Sequence, residues 1–337
     1  MTTTTCPPHP SRRQACAFLS MAAVAIAAGL PGTAAHAQGY PAKPVQLVVP
    51  FPPGGAVDIT ARLIAKPLGE RLGQAVVIDN KGGAGTIVGA SYVANAPADG
   101  YTLLISSGST FTINPALHAK LPYDPIRSFE PIGMVARVPL VLLAHRDVPV
   151  NTVAQLIAAV KAAPGKYVYG SFGSGTTGHF AGELMWSAMG FQLQHVPYRG
   201  SAPAMSDLIG GQIPFTVDTV AAALPQLKSG KIKAIAVTGA ARAPQLPGVP
   251  TVAESGFPGF AADSWLAVVA PRGVPAEAKA KLEKALADAM ADADIRAQLL
   301  SSGLEPAPAP AQAVAARIAD ELPRMRAIAQ SSGIKAD

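Results

Sequence analysis

The residues best suited to chemistry lie in one short stretch, 170–183, GSFGSGTTGHFAGE. There Gly173, Ser174, Gly175, Thr176 and Thr177 can turn main-chain N–H groups and small hydroxyls toward one point, just where a helical pattern begins. Such a cluster suits a carboxylate, because the donors meet acceptor oxygens and a helix start adds partial positive charge. It equally suits an ordinary capped helix with Ser174 or Thr176 at the cap. A second candidate is 45–62, VQLVVPFPPGGAVDITAR. Val45, Leu47, Val48 and Val49 are a strand-type run, stopped by prolines that cannot serve a ladder. Gly54 and Gly55 permit a tight turn, and Val57, Ile59, Leu63 and Ile64 then open a helical pattern. Strand, bare loop and helix start make either an anion-collecting unit or a plain connection.

Other chemistries fit these residues poorly. Residues 173–178 spell G-x-G-x-x-G, yet the next strand, ending His195-Val196-Pro197-Tyr198-Arg199, carries no acidic residue for a ribose. Ser174, His179 and Asp218 supply the residue types of a serine triad, but no G-x-S-x-G elbow exists. Ser174 and His179 also share one loop-helix unit, so His179 reads as a packed structural group. No H-x-x-x-H pair or carboxylate cluster suggests a metal. Arg199, with Gly200 beside it, is either a ligand clamp or a surface charge. Asp218 either caps the following helix or holds a ligand hydroxyl or ammonium. Asp58 would repel an anion, so it is expected to brace the Gly54-Gly55 loop rather than meet the ligand directly.

These residues need a scaffold that brings them together. Short apolar runs alternate with helical patterns along the chain, which predicts α/β layers with mainly parallel sheets. Strands are expected at 75–78, 101–105, 166–169, 193–196, 215–218 and 232–237, with helices between them. Parallel strands put their carboxyl ends on one rim, where open α/β sheets bind ligands. The loops starting at Pro50, Asp79 and Ser106 should share such a rim, bringing Ser107 and Thr110 to it. The long run 131–145 is divided by Pro139, so one part should close a first sheet and the next open a second. A run at 264–270 should bring the chain back. Helices are expected at 276–300 and 311–330, the latter kinked or broken near Pro323, with 306–310 as their linker. The architecture implied is two lobes, 38–139 with 265–337 and an inserted 140–264, joined by two hinge-crossing strands.

Composition narrows the setting. The chain has 337 residues, 49% apolar and 14% charged, which is a globular composition. Its first 37 residues read as a signal peptide: Arg12 and Arg13, an apolar run over 15–30, and Ala35-His36-Ala37 as the cleavage motif. Both cysteines, Cys6 and Cys16, fall there, so the mature chain has no thiol chemistry. Losing two arginines and no acid takes the net charge from +6 to +4. The remaining Lys and Arg are scattered, which argues against nucleic acid.

The chain resembles the substrate-binding receptors of tripartite tricarboxylate transporters, the Bug-type periplasmic proteins. The likeness rests on PFPPGGAVDITAR (50–62), ADGYTLL (98–104), FEPIG (129–133), GSFGSGTTGHFAGEL (170–184), VPYRGSAPAMSDLIGGQ (196–212), IKAIAVT (232–238), PGVPTVAESGFPGF (247–260) and SWLAVVAPRGVP (264–275). It implies a two-lobed periplasmic-binding-protein clamshell that closes on a small organic carboxylate and delivers it to integral membrane transporter subunits. It implies no catalysis and no cofactor, and a chain acting as a monomer. The loop matching Phe51, Pro53, Gly54, Gly55 and Asp58 would touch the ligand, partly through water. Ser174, Gly175, Thr176 and Thr177 would hold a carboxylate directly. Gly82 stands where relatives usually have proline, Thr86 where a second glycine is common, and Pro214 where a polar residue is frequent. A periplasmic sensor presenting the same ligand to a signalling partner would have the same cleft.

Cleavage is expected after Ala37. N-terminal sequencing of the exported protein should therefore begin at Gln38, and a start upstream of Gly32 would contradict the leader assignment.

Overall fold

The computed structural model describes residues 1–5 and 39–336. The apolar leader run, both cysteines and the Ala35-His36-Ala37 motif lie outside the described residues. From Tyr40 onward the chain folds as one compact unit. In order it forms β1 (Val45–Val49), α1 (Ala56–Leu72), β2 (Val76–Asn80), α2 (Ile87–Ala94), β3 (Thr102–Ser107), α3 (Asn114–Leu117), β4 (Phe129–Val138) and β5 (Leu140–His145). There follow α4 (Val153–Ala162), β6 (Val168–Ser171), α5 (Thr177–Met189), β7 (Gln194–Pro197), α6 (Ser201–Ile209), β8 (Phe215–Thr219), α7 (Val220–Leu227) and β9 (Ile232–Val237). The chain ends with β10 (Ser264–Pro271), α8 (Ala276–Ala291), α9 (Ala293–Ser301), β11 (Glu305–Pro310) and α10 (Ala311–Ser331).

Two sheets result, ordered β11-β4-β10-β3-β1-β2 and β7-β6-β8-β5-β9. The apolar runs explain their depth: Val45, Leu47, Val48 and Val49 of β1 are all fully buried, as in a strand covered by helices on both faces. The sheets are mixed rather than mainly parallel. β1 runs parallel to β2 and β3, and β6 to β7 and β8, whereas β10 is antiparallel to β3 and β4, and β5 to β8 and β9. The chain leaves the first sheet through β4 and returns through β10 in the opposite sense. Only Pro139 separates β4 from β5, so one continuous extended segment serves both sheets.

The C-terminal region differs from expectation in three ways. Residues 276–300 are two helices, because Asp292 ends α8 and caps α9, accepting from the N–H groups of Asp294 and Ile295. The proline-alternating linker is instead an edge strand, β11, antiparallel to β4. An edge strand bonds a neighbour on one side only, which is why Pro306, Pro308 and Pro310 are tolerated there. The last helix, α10, continues through Pro323 without a break. Its Val314 and Ile318 pack with Phe111, Trp265 and Val269 of the first sheet's core.

One polar cluster ties α10 to the returning strand. The buried Glu321 carboxylate accepts from Trp265 Nε1 (2.9 Å), Thr112 Oγ1 (3.1 Å) and Arg317 Nε (3.1 Å). Trp265 is stacked on Phe111 with ring centres 5.6 Å apart. Glu321→Ala would leave the buried Trp265 N–H without an acceptor, while Thr112 keeps the Gly108 carbonyl and Arg317 reaches solvent, so it should cost about 1–3 kcal/mol. The urea midpoint should fall with an unchanged m value, and a midpoint at the wild-type position would show that this cluster does not secure β10.

Candidate functional site

The parallel halves of the two sheets aim their carboxyl-end loops at each other. On the first sheet these are the β1–α1 loop, the β2–α2 loop and the turn after β3. On the second they are the loops leading into α5, α6 and α7. Each is shaped by local chemistry. Gly54 donates its N–H to Asp58 Oδ2 (3.0 Å), which also accepts from Arg62, while Asn80 Nδ2 bonds Asp58 Oδ1. Burial alone would raise the Asp58 carboxyl, but hydrogen bonds from Arg62, Asn80 and Gly54 outweigh it and hold it below the usual carboxylate range. Asp58 thus braces the Gly54-Gly55 loop, and its oxygens are occupied.

The start of α5 is capped by Thr176, whose hydroxyl accepts from the His179 N–H and donates to the Gly173 carbonyl. The Gly175 N–H is directed at His179 Nδ1 (3.3 Å), and the His179 ring is stacked on His195 with centres 4.1 Å apart. The Thr177 N–H crosses to the other sheet and donates to Ser109 Oγ at 3.0 Å.

Around that bond the two sheets touch through backbone. Gly85 and Gly175 both have positive φ (57° and 69°). A methyl group on Gly85 would stand 2.2 Å from the Ser174 carbonyl oxygen, and one on Gly175 would stand 2.2 Å from Asn114 Oδ1. Asn114 is fully buried and donates to the Gly85 carbonyl (2.6 Å). On the other flank Gly200 lies against Pro52, and the rings of Phe51 and Phe172 meet edge to face at 6.1 Å.

Between these contacts lies a cavity of about 30 Å³, room for roughly two water molecules. From the first sheet it is lined by Phe51, Gly55, Val57, Ser107, Ser264 and Leu266. From the second it is lined by Phe172, Thr177, Gly200, Ser201 and Thr219.

Of the residues singled out from sequence, Phe51, Gly55, Ser107, Thr177 and Gly200 line the cavity. Ser174, Gly175 and Thr176 stand beside it in the α5 loop. Gly54 and Pro53 are exposed at the rim, and Arg199 is exposed and does not line the cavity. Thr110 is turned inward, bonding Ser106 (2.6 Å) and Thr86 (2.8 Å). Its neighbour Ser109 makes the cross-sheet bond instead. Asp218 is fully buried: its Oδ1 accepts from Thr219 N (2.7 Å) and Ser201 Oγ (2.8 Å) while Oδ2 has no hydrogen-bond partner. Sequence reasoning did not single out Ser109, Asn114 or Ser264. Ser109 lies in the loop that starts at Ser106, but Asn114 and Ser264 are brought in by tertiary contacts with no local signature.

Residues 60–334 match the tripartite tricarboxylate transporter family receptor. The chain belongs to that family. Its members are solute receptors, not enzymes. The chain is similar to the protein BugT of Bordetella pertussis, 35% identical over 318 residues, 94% of this chain and 98% of BugT. It is also similar to a solved R. palustris protein with adipate, at TM-score 0.85 and 39% identity, covering 88% of this chain and 99% of that one. A third likeness is to MatC of Rhodopseudomonas palustris with bound malate, at TM-score 0.80 and 31% identity, covering 86% and 99%. Membership in this receptor family accounts for the two-sheet clamshell.

Burial raises the Asp218 carboxyl to about 6, against the lowering effect of its Thr219 and Ser201 hydrogen bonds. Between its ordinary value and about 6, the folded chain keeps a proton that the unfolded chain has lost, so stability falls as pH rises through that window. The loss from this one group is about 3 kcal/mol. Comparing wild type with Asp218→Asn by urea unfolding should show the wild type losing about 2 kcal/mol of this relative to the variant between pH 4 and 6.5. Parallel pH profiles would mean that Asp218 titrates normally.

Proposed function

We propose that this receptor captures a small organic carboxylate between its two lobes and hands it to the integral membrane subunits of a tripartite tricarboxylate-type transporter. The observation that carries the reading is Thr177. It begins α5, lines the cavity and spends its N–H on a hydroxyl of the opposite sheet. A carboxylate entering there exchanges a neutral hydroxyl acceptor for a charged one, at a helix end worth roughly half a positive charge. The adipate and malate bound in the two similar R. palustris proteins are acids of this kind.

In this reading the lobes are 38–139 with 265–337, and 140–264, and they close about 138–142 and 264–268. Ser174, Gly175, Thr176 and Thr177 hold the carboxylate. Phe51, Pro53, Gly54, Gly55, Ser107 and Gly200 close over it. Thr110 and Asp58 support the first-lobe loops, and Asp218 supports Ser201. The chain is exported to the periplasm, loses its leader after Ala37 and works as a monomer without a cofactor.

Calorimetric titration tests the assignment, using the tightest acid from a thermal-shift screen. A hydrogen bond to a charged group is worth roughly 1.5–3 kcal/mol. Thr177→Ala should therefore weaken binding by about one to two orders of magnitude. Gly175→Ala should weaken it at least as far, because its methyl group meets Asn114 before the lobes can close. Arg199→Ala should leave affinity within about twofold, since that side chain is exposed away from the cavity. Unchanged affinity in both loop variants would place the carboxylate elsewhere.

A further inference from the structure

We propose that the receptor takes up a proton together with its carboxylate, and that the proton goes to Asp218. This deepens the receptor reading above and rests on it.

Asp218 sits one hydroxyl behind the cavity. Its Oδ1 accepts from Ser201 Oγ at 2.8 Å, and Ser201 lines the cavity wall. The side chain is fully buried, and its Oδ2 has no hydrogen-bond partner among the described residues. Buried charges are ordinarily paired. The elements round Asp218 supply no cation among the described residues. β5 sets Val141 opposite it, and α7, which follows it, has no ionisable side chain along Val220–Leu227. α6 carries Asp207, which accepts from the Tyr198 hydroxyl at 2.7 Å, and Arg199 ahead of α6 is exposed. On β6, Ser171 pairs with Val217 and bonds His195. His195 and His179 stack on the sheet face that carries Phe215 and Val217, whereas strand alternation turns Asp218 to the other face. Across the cleft Asp58 is held by Arg62, Asn80 and Gly54.

Two helix starts draw an anion toward Ser201. α1 and α6 both begin without a side-chain cap, at Gly55 and Gly200. They meet across the cavity, where a methyl group on Gly55 would stand 3.5 Å from Ser201 Oγ. Their N–H groups and partial positive charge favour a carboxylate between them, as the α5 start does at Thr177. A carboxylate oxygen within bonding reach of Ser201 lies about 5 Å from Asp218 Oδ1, one hydrogen-bond length further on. Two negative charges that close in a buried site repel strongly. The helix starts stabilise both anions but leave their mutual repulsion. Burial already lifts Asp218 to about 6, against its Thr219 and Ser201 hydrogen bonds, and the arriving charge lifts it further. The proton comes from solvent and settles on Oδ2, offsetting one negative charge of the ligand.

Linkage then sets the pH response. Well below 6, Asp218 is protonated with or without ligand, and no proton moves. Above 6, binding has to draw the proton in, so affinity falls as pH rises.

Calorimetry of the intact mature chain tests this, using the tightest of malate, adipate, succinate and benzoate. Titration at pH 7 in buffers of different ionisation enthalpy counts the protons. More than about half a proton per ligand should be taken up, and affinity should fall about three- to tenfold from pH 6.5 to 8. Asp218→Asn should take up none, hold a flat affinity over that range and bind at pH 8 at least as tightly as wild type. Infrared difference spectra of wild type at pH 7 should gain the carbonyl band of a protonated carboxyl when the acid is added, a readout independent of any variant. Binding with neither proton uptake nor that band, or equal uptake in Asp218→Asn, overturns the proposal and leaves the carboxylate receptor standing. Absence of binding by all four acids removes the receptor reading and this proposal with it.

Discussion

The hydrogen bond from the Thr177 N–H to Ser109 Oγ is the contact on which the rest of the cleft depends. A helix start carries N–H groups with no partner inside the helix. Where the start is exposed, water satisfies them. Where two lobes close over it, something else must. Here the opposite sheet supplies a neutral hydroxyl at 3.0 Å, which satisfies the donor without competing strongly against a charged acceptor. The seam beside it is built from backbone, with Gly85 against the Ser174 carbonyl and Gly175 against Asn114. A side chain at either glycine would hold the lobes apart by more than the bond can span. Closure and donor satisfaction are thus one requirement met at one place.

That place is set by the topology of the crossing strands. β4 passes into β5 through Pro139 alone, and β10 returns beside it with Ser264 paired to Val138. Proline at the junction removes one ladder donor at the point where the strand must change sheets. On one face of the returning strand Ser264 and Leu266 line the cavity. On the other Trp265 is fixed by Phe111 and the Glu321 carboxylate. The alternation of a strand therefore connects the ligand side of the hinge to the packing of α10.

Much of this was legible in the sequence, for identifiable reasons. The strands at 232–237 and 140–144 were readable because they are apolar runs bounded by breakers, and Pro139 marked the sheet change. A helix was expected between the strands here, and the structure forms it over 153–162, with the Thr152 hydroxyl accepting the Gln155 N–H as its cap. What failed depended on distant partners. The segment 305–310 has the composition of a linker, and only the free edge of β4 makes it a strand. Asp292 reads as one more charge in a long helix until its side chain is seen capping the next one. The loop 173–177 stood out because a run of small donors is a local property, but the structure turns the Gly175 N–H to His179 and the Thr176 hydroxyl to the Gly173 carbonyl, and of this run it is Thr177 that lines the cavity. Asn114 and Ser264 could not, because each is an ordinary polar residue until the fold buries it against the cleft. Thr110 was attractive as a rim hydroxyl, yet the turn after β3 swings it inward and presents Ser109.

The low charge of the cleft follows from how it is built. A Lys or Arg could neutralise a carboxylate strongly, but a buried cation has to be kept in place, and kept paired, when the lobes open and the ligand leaves. Main-chain N–H groups and small hydroxyls avoid that difficulty, since water can replace the ligand at each of them. The helix start supplies a field without a mobile side chain, so little conformational freedom is lost on binding. The buried Asp218 carboxylate stands behind Ser201 and Thr219 rather than in the cavity wall, and it acts by orienting their protons.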